Sequence, residues 1–161
     1  MEQVDRIGFF DGHNDTLKNL YLSGRDFFKW NEMGHIDIPR ARKAGMQGGL
    51  FAILCIAQHP EQRQFGYGLT IDENSWEVAY PERLDYDYAI EFTMEILNFT
   101  LNMVNSCEHI KIIYDYQDIL ESINQDKLAI VLHFEGAEAI KNDLCNLEFY
   151  YEKGLRSLGP V

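Results

Sequence analysis

The sequence predicts an α/β fold built on a parallel sheet, and three observations carry that prediction. Segments of strand character alternate with segments of helix character along all 161 residues, with no internal repeat, low-complexity tract or linker between them. Two of the strand segments, residues 48–57 and 128–134, are almost continuous apolar runs, the pattern of strands covered on both faces. Apolar residues make up 46% and charged residues 25%, which is ordinary for one globular domain spanning residues 1–161.

Residues 7–13 read as the first strand and residues 48–57 as the second, both expected in the sheet interior. A short helix is expected from Pro39, since proline suits the first helical turn, to about Gly45. Residues 59–83 hold Gly66, Gly68, Pro60 and Pro81 among aromatics without periodicity, and read as an extended loop after the C-terminal end of a strand. The clearest helix covers residues 85–105, where Ala89, Phe92, Ile96, Phe99 and Met103 recur at spacings of three and four and form one core-facing stripe. Strands at 110–114 and 128–134, helices at 115–125 and 142–153, and a strand opening at 155–161 complete the set. Five strands and four helices fall short of a closed eight-stranded barrel, which takes ~250 residues. The expected architecture is therefore an incomplete barrel of the (β/α)8 TIM-barrel type with about five parallel strands, the N-terminal portion of a longer one. Pro160 lacks a ladder donor and marks the last strand as irregular.

Charge narrows the function classes. Fourteen Lys and Arg against 26 Asp and Glu give a net charge of −12, a field that repels phosphate backbones and anionic headgroups. Nucleic-acid and membrane partners are disfavoured. Cys55, Cys107 and Cys145 are odd in number and far apart, and read as free core thiols in a reducing compartment. Residues 1–5 are acidic where a signal peptide would be basic, and no apolar run reaches the ~18 residues that span a bilayer. A cytoplasmic protein is the expectation.

The residues that can carry chemistry stand at strand ends. Asp11-Gly12-His13-Asn14-Asp15 closes the first strand, and in an extended segment His13 and Asp15, two apart, point to one side. They form half of a metal site or a simple hydrogen-bonded pair. His133-Phe134-Glu135-Gly136 ends the fourth strand in the same way, and a parallel sheet brings His13, Asp15 and Glu135 to one edge. Glu135 at the end of an apolar run needs a partner, which a cation supplies; pairing with Arg156 or capping of the next helix are the other solutions.

Four stretches, taken in order, resemble the membrane (renal) dipeptidase family of zinc metallopeptidases. They are Asp11 to Asp15 with Leu17, then His35-Ile36-Asp37-Ile38-Pro39-Arg40 leading to Gly48-Gly49-Leu50-Phe51, then His133 to Ile140, and last Tyr150 to Leu158. The resemblance implies a (β/α)8 barrel that holds two zinc ions at its C-terminal mouth and cleaves dipeptides with a metal-bound hydroxide. It implies that His13 and Asp15 ligate the first zinc, that Glu135 bridges both, and that Asp15 also handles protons. The remaining ligands, two histidines, and the substrate-holding histidine and arginine fall beyond Val161 in that family. Position 133 departs from the family pattern, and His133 is read as a group supporting Glu135 rather than a ligand, with Asp11 as a second supporting group. His35 and Asp37 are read as a loop leading into a helix, and His59 and His109 as surface residues. Two further readings stand beside this one. One is a related metal-dependent amidohydrolase, which Asp15 in place of a second histidine disfavours. The other is a truncated, non-catalytic module that forms a homo-oligomer through its open sheet edge.

Overall fold

The structure is a computed structural model and describes residues 7–63, 67–79 and 82–160. Residues 1–5, Gly66, Pro81 and Val161, which entered the sequence reading, lie outside the described residues. In chain order the elements are β1 (Phe9–Asn14), α1 (Thr16–Ser23), α2 (Ile38–Ala44), β2 (Met46–Leu54), a 3-10 turn (Pro60–Arg63), β3 (Leu69–Ile71), β4 (Trp76–Val78), α3 (Tyr86–Asn105), β5 (Ile110–Ile112), α4 (Tyr116–Asn124), β6 (Leu128–Glu135), α5 (Leu147–Glu152) and β7 (Leu155–Gly159).

Five strands form one parallel sheet, as the sequence predicts, in the order β1-β2-β6-β5 with β7 also beside β6. The strand β6 is the hub. One of its sides takes β2 from Ala129 to Glu135, and its other side is shared end to end by β5, against 128–130, and β7, against 132–135. The junction between those two is tight. Gly154 sits there at φ +109, and a Cβ on it would stand 2.9 Å from Ile112 Cγ2, so only glycine lets β7 begin where β5 has just ended.

Several expectations change. The strand β1 is not interior: it is an edge strand, with Phe9 44% and Phe10 39% exposed, because no described strand pairs with its outer side. A helix absent from the sequence reading, α1, follows it at once. Its apolar stripe is only Leu17 and Leu20, both fully buried, and Gly24 stops it in the left-handed conformation at φ 66, so eight residues offered too short a period to recognise. The loop after β2 contains an antiparallel hairpin, β3 with β4, whose six residues are all exposed. The last helix covers only Leu147–Glu152, the residues before it being taken up by turns. Of the three thiols only Cys55 is buried; Cys107 is half-buried and Cys145 exposed, and all three are free. Pro160 lies just past the end of β7.

The core fills the space between this sheet and α1, α3 and α5. Phe51 and Ile53 from β2, Ile130 and Leu132 from β6, Ile96 and Leu97 from α3 and Tyr150 from α5 are all at most 2% exposed. Burying each such side chain contributes roughly 1.5–3 kcal/mol. The helix α3 presents the stripe read from its sequence, and Tyr21 of α1 packs edge-on to its Phe92 and Phe99 at 6.4 and 5.9 Å. Among the described residues no helix is long and apolar enough to cross a membrane.

The segment before α2 shows how a buried charge is kept. Asp37, fully buried, caps α2 by accepting from Arg40 N at 2.8 Å, and its other oxygen accepts from Arg40 Nε at 2.6 Å. His35 is exposed beside it, so this stretch is a loop and helix start, as expected. Replacing Asp37→Ala removes both the cap and the counter-charge and is expected to cost about 2–4 kcal/mol in urea unfolding. Asp37→Asn, which keeps the capping oxygen, is expected to lose distinctly less.

Candidate metal centre

The site lies at the C-terminal ends of β1 and β6, with β2 between them. The register of β2 on β6 sets its height: Ala52 pairs with His133 and Leu54 with Glu135. Cross-strand partners share a face, so Ala52 stands level with His133 on the side that faces β1 and β6 alike. Its small side chain leaves room for the rings of His13 and His133 to meet across the intervening strand, edge to face, with centroids 5.4 Å apart.

His13, Asp15 and Glu135 converge as the sequence reading expects. Each offers one ligand atom, and these atoms lie within 4.8 Å of one another. The route differs from the alternation argument. The pairing of β1 is bulged between Asp11 and Asn14, the strand ends at Asn14, and Asp15 already occupies the N-cap position of α1. Its side chain makes no capping hydrogen bond, which leaves the carboxylate free to face the site. Asn14 secures the bend by accepting from Thr16 N at 3.2 Å and donating to Leu50 O at 3.4 Å.

Glu135 carries the site's electrostatic tension. Its Oε2 is buried, lies 3.2 Å from His13 Nε2, and still has no aligned hydrogen bond. Apart from that contact with His13, Oε2 has no partner among the described residues, which is how a buried lone pair stands when it is arranged to receive a cation. One imidazole nitrogen and two carboxylates are a donor set that suits zinc and other divalent ions, so the residues present fit such a group. Neither alternative partner operates. Arg156 instead donates to the carbonyls of Tyr114, Tyr151 and Leu155 and stacks at 3.8 Å on the Tyr151 ring, and the segment after Glu135 is a turn. That turn needs Gly136, at φ +104, where a Cβ would collide with the Glu138 carboxylate. The chain continues along a cavity of about 490 Å³ that Arg83, Tyr86, Glu138 and Lys141 help to line.

The supporting residues are also placed. His133, 9% exposed, has Nδ1 2.9 Å from Ser157 Oγ and is outside the group of converging ligand atoms. Burial and the nearby His13 hold its pKa below the usual histidine value against the pull of Glu135, so it is a neutral ring that packs on His13. Asp11 Oδ1 accepts from His13 N at 2.7 Å and steadies the backbone of that candidate ligand. Lys18, absent from the sequence reading, reaches Asp15 Oδ1 at 3.2 Å with its side chain 17% exposed. Its signal was the spacing of three from Asp15, which means a shared face only once α1 is known to be a helix. Cys55 is near the mouth but inert, its thiol pushed up to about 12 by burial. His59 and His109 are exposed, as expected.

The chain belongs to the membrane dipeptidase family: the family's sequence pattern matches residues 2–161. It is 34% identical over 165 residues to a protein of Acinetobacter calcoaceticus known as the uncharacterized protein in the PQQ-III 3′ region, covering 96% of this chain and 49% of that one. Among solved structures it is similar to a metallo peptidase from Rhodobacter sphaeroides liganded with a phosphinate mimic of the dipeptide L-Ala-D-Ala, with a TM-score of 0.83 and 29% identity over 98% of this chain and 46% of that one. A metallo peptidase named dipeptidase AC is similar too, with a TM-score of 0.81 and 29% identity over 98% of this chain and 45% of that one. The chain spans about half the length of the relatives it matches.

If the orphaned oxygen of Glu135 is a strain kept for a cation, Glu135→Gln relieves it. The metal-free variant is expected to be as stable as the parent or about 1 kcal/mol more stable in urea unfolding. A clear loss of stability would mean that the carboxylate has a structural partner.

Proposed function

We propose that this chain supplies the first half of a binuclear zinc site that hydrolyses the peptide bond of dipeptides. The observation that carries this reading is the convergence of His13, Asp15 and Glu135 within 4.8 Å at the C-terminal edge of the sheet, with Glu135 Oε2 buried and unsatisfied. Family membership and likeness to a metallo peptidase liganded with a dipeptide mimic support the substrate class.

In this reading His13 and Asp15 hold one zinc ion, and Glu135 is shared with a second. When bound, zinc lowers the pKa of water and polarises the scissile carbonyl. The chain's own residues do the rest. The neutral His133 ring keeps His13 turned toward the ion, and Asp11 holds the backbone beneath it. Lys18 reaches Asp15 Oδ1 at 3.2 Å and steadies the carboxylate, which would help hold the ion and would also take up the proton released during attack and return it to the departing amine. A His-Asp pair at the end of the first strand, in place of two histidines, favours a dipeptidase over related amidohydrolases. A reducing, cytoplasmic setting is supported by the free Cys55, Cys107 and Cys145.

The test is zinc content per chain on protein of verified intact mass, followed by dipeptide hydrolysis on the same sample. A complete site takes about two ions. Glu135→Gln and Asp15→Asn are each expected to weaken zinc binding by roughly 10–100-fold, the scale seen when a metal site loses a supporting group or more. Zinc affinity unchanged in Glu135→Gln would remove the shared-ligand role.

A second reading, association of copies of this chain, has its own observation. The outer side of β1 is unpaired among the described strands, and Phe9, Phe10, Ile71 and Trp76 are exposed. Light scattering is expected to give a mass that falls on dilution; a mass independent of concentration would exclude this reading.

A further inference from the structure

The segment that follows Glu135 and the start of α3 enclose the cavity of about 490 Å³, a size that takes a small polar ligand. Its wall is preformed. Asn146 donates through Nδ2 to Ala139 O at 2.8 Å and to Tyr86 Oη at 3.4 Å, and its Oδ1 accepts from Lys141 N at 2.9 Å. One side chain thus ties the 137–146 segment to the first turn of α3. Leu84, Ala137 and Ile140 form the apolar part of the wall.

The charged part consists of Arg83, Glu138, Lys141 and Asp143, two of each sign. Glu138 is half-buried, and its carboxylate folds back against Gly136, whose φ of +104 and missing Cβ make room for it. Among the described residues it enters no ion pair and no hydrogen bond, yet neither of its oxygens is shut off from solvent. Both oxygens therefore open onto accessible space, and the space that this residue lines is the cavity. Arg83, exposed on the α3 side of the wall, also has no partner among the described residues. The other two charges are partly engaged. Asp143 accepts from Cys145 N at 3.1 Å, and that amide above all, with a smaller pull from Lys141, holds its carboxyl below the usual carboxylate range.

A ligand of single charge gains little here. An anion drawn to Arg83 and Lys141 is repelled by Glu138 and Asp143, and a cation meets the reverse. A molecule that carries both charges a few bonds apart avoids that cancellation, because each end can turn toward the wall group of opposite sign. We propose that this cavity binds a zwitterion of the α-amino acid type, its ammonium donating to Glu138 and its carboxylate accepting from Arg83. The inference goes beyond the dipeptidase reading and stands without it; the two meet only in that dipeptide hydrolysis releases free α-amino acids.

The test is an amide NMR titration of the metal-free 161-residue chain with L-alanine and with Ala-Ala, against acetate and ethylammonium as single-charge controls. The zwitterions are expected to shift the amides of residues 83–86 and 137–143 and to bind roughly tenfold more tightly than either control, the scale of one charge-assisted hydrogen bond. Glu138→Gln and Arg83→Gln each remove one of the two charges and are expected to bring the zwitterions down to the level of the controls. Arg83 is exposed and Glu138→Gln keeps the shape of the side chain, so both variants are expected to fold, which the same amide spectra report. Tighter binding of alanine points to a reaction product and tighter binding of Ala-Ala to the substrate, and either upholds the site. No shift at these residues, controls that bind as tightly as the zwitterions, or an affinity unchanged in either variant overturns the proposal. Hydrolysis of Ala-Ala by the zinc-loaded chain reports separately on the dipeptidase reading, so either idea can fail while the other stands.

Discussion

Seven consecutive residue pairs, Gly48 with Ala129 through to Leu54 with Glu135, join β2 to β6, and the position of everything at the mouth follows from that register. A parallel ladder admits no gradual adjustment, since a slip of one residue turns every side chain to the opposite face. With the register held, Glu135 must emerge at the end of β6 on the same side as His133, one layer above it. The glycines of β2 let its neighbours close in: a Cβ on Gly48 would collide with both Phe10 of β1 and Ala129 of β6. That small position, with Ala52 above it on the same face, leaves room for His13 to stand 3.2 Å from Glu135 across a whole intervening strand.

The mouth is consequently a place where polar groups are held in unsatisfied arrangements. Glu135 Oε2 and Arg25 Nη1 are the two buried side-chain atoms without hydrogen-bond partners among the described residues. They belong to groups of opposite charge, and Glu135 Oε2 lies among the converging ligand atoms. Elsewhere the chain satisfies its buried charges with care, as Asp37 shows by capping α2 and pairing with Arg40 through its two oxygens. The contrast has a physical reading. A fold that pairs Asp37 so completely leaves Glu135 Oε2 without a hydrogen bond at the point where the candidate ligand atoms converge.

Much of the fold was legible from residue patterns. The apolar runs of β2 and β6 and the stripe of α3 are long and periodic, so burial alone announces them. Pro39 and Gly45 bracketed α2 because the chemistry of helix ends is local, although the capping role of Asp37 was not read from the sequence. What escaped was short or relational. The helix α1 buries only two apolar side chains completely, and the β3–β4 hairpin is exposed throughout, so neither leaves a clear hydrophobic period to read. The edge position of β1 depends on which strands pair, which its own residues do not encode.

The candidate site divides along the same line. Residue types and their placement at strand ends were enough to single out His13, Asp15 and Glu135, because carboxylates and imidazoles after apolar runs are costly without a purpose, and the family resemblance lay in contiguous motifs. The sequence alone therefore determined the fold class, the elements with strong periodicity and the identity of the candidate ligands. Only the tertiary structure decided that Asp15 reaches the site from a helix cap rather than a strand, that Lys18 contacts it, that the His133 ring packs edge to face on His13, and that Arg25 is left with a buried nitrogen without a hydrogen bond. Each of these depends on distances between residues on different elements, and such distances exist only once the sheet register and the packing of α1 bring those elements together.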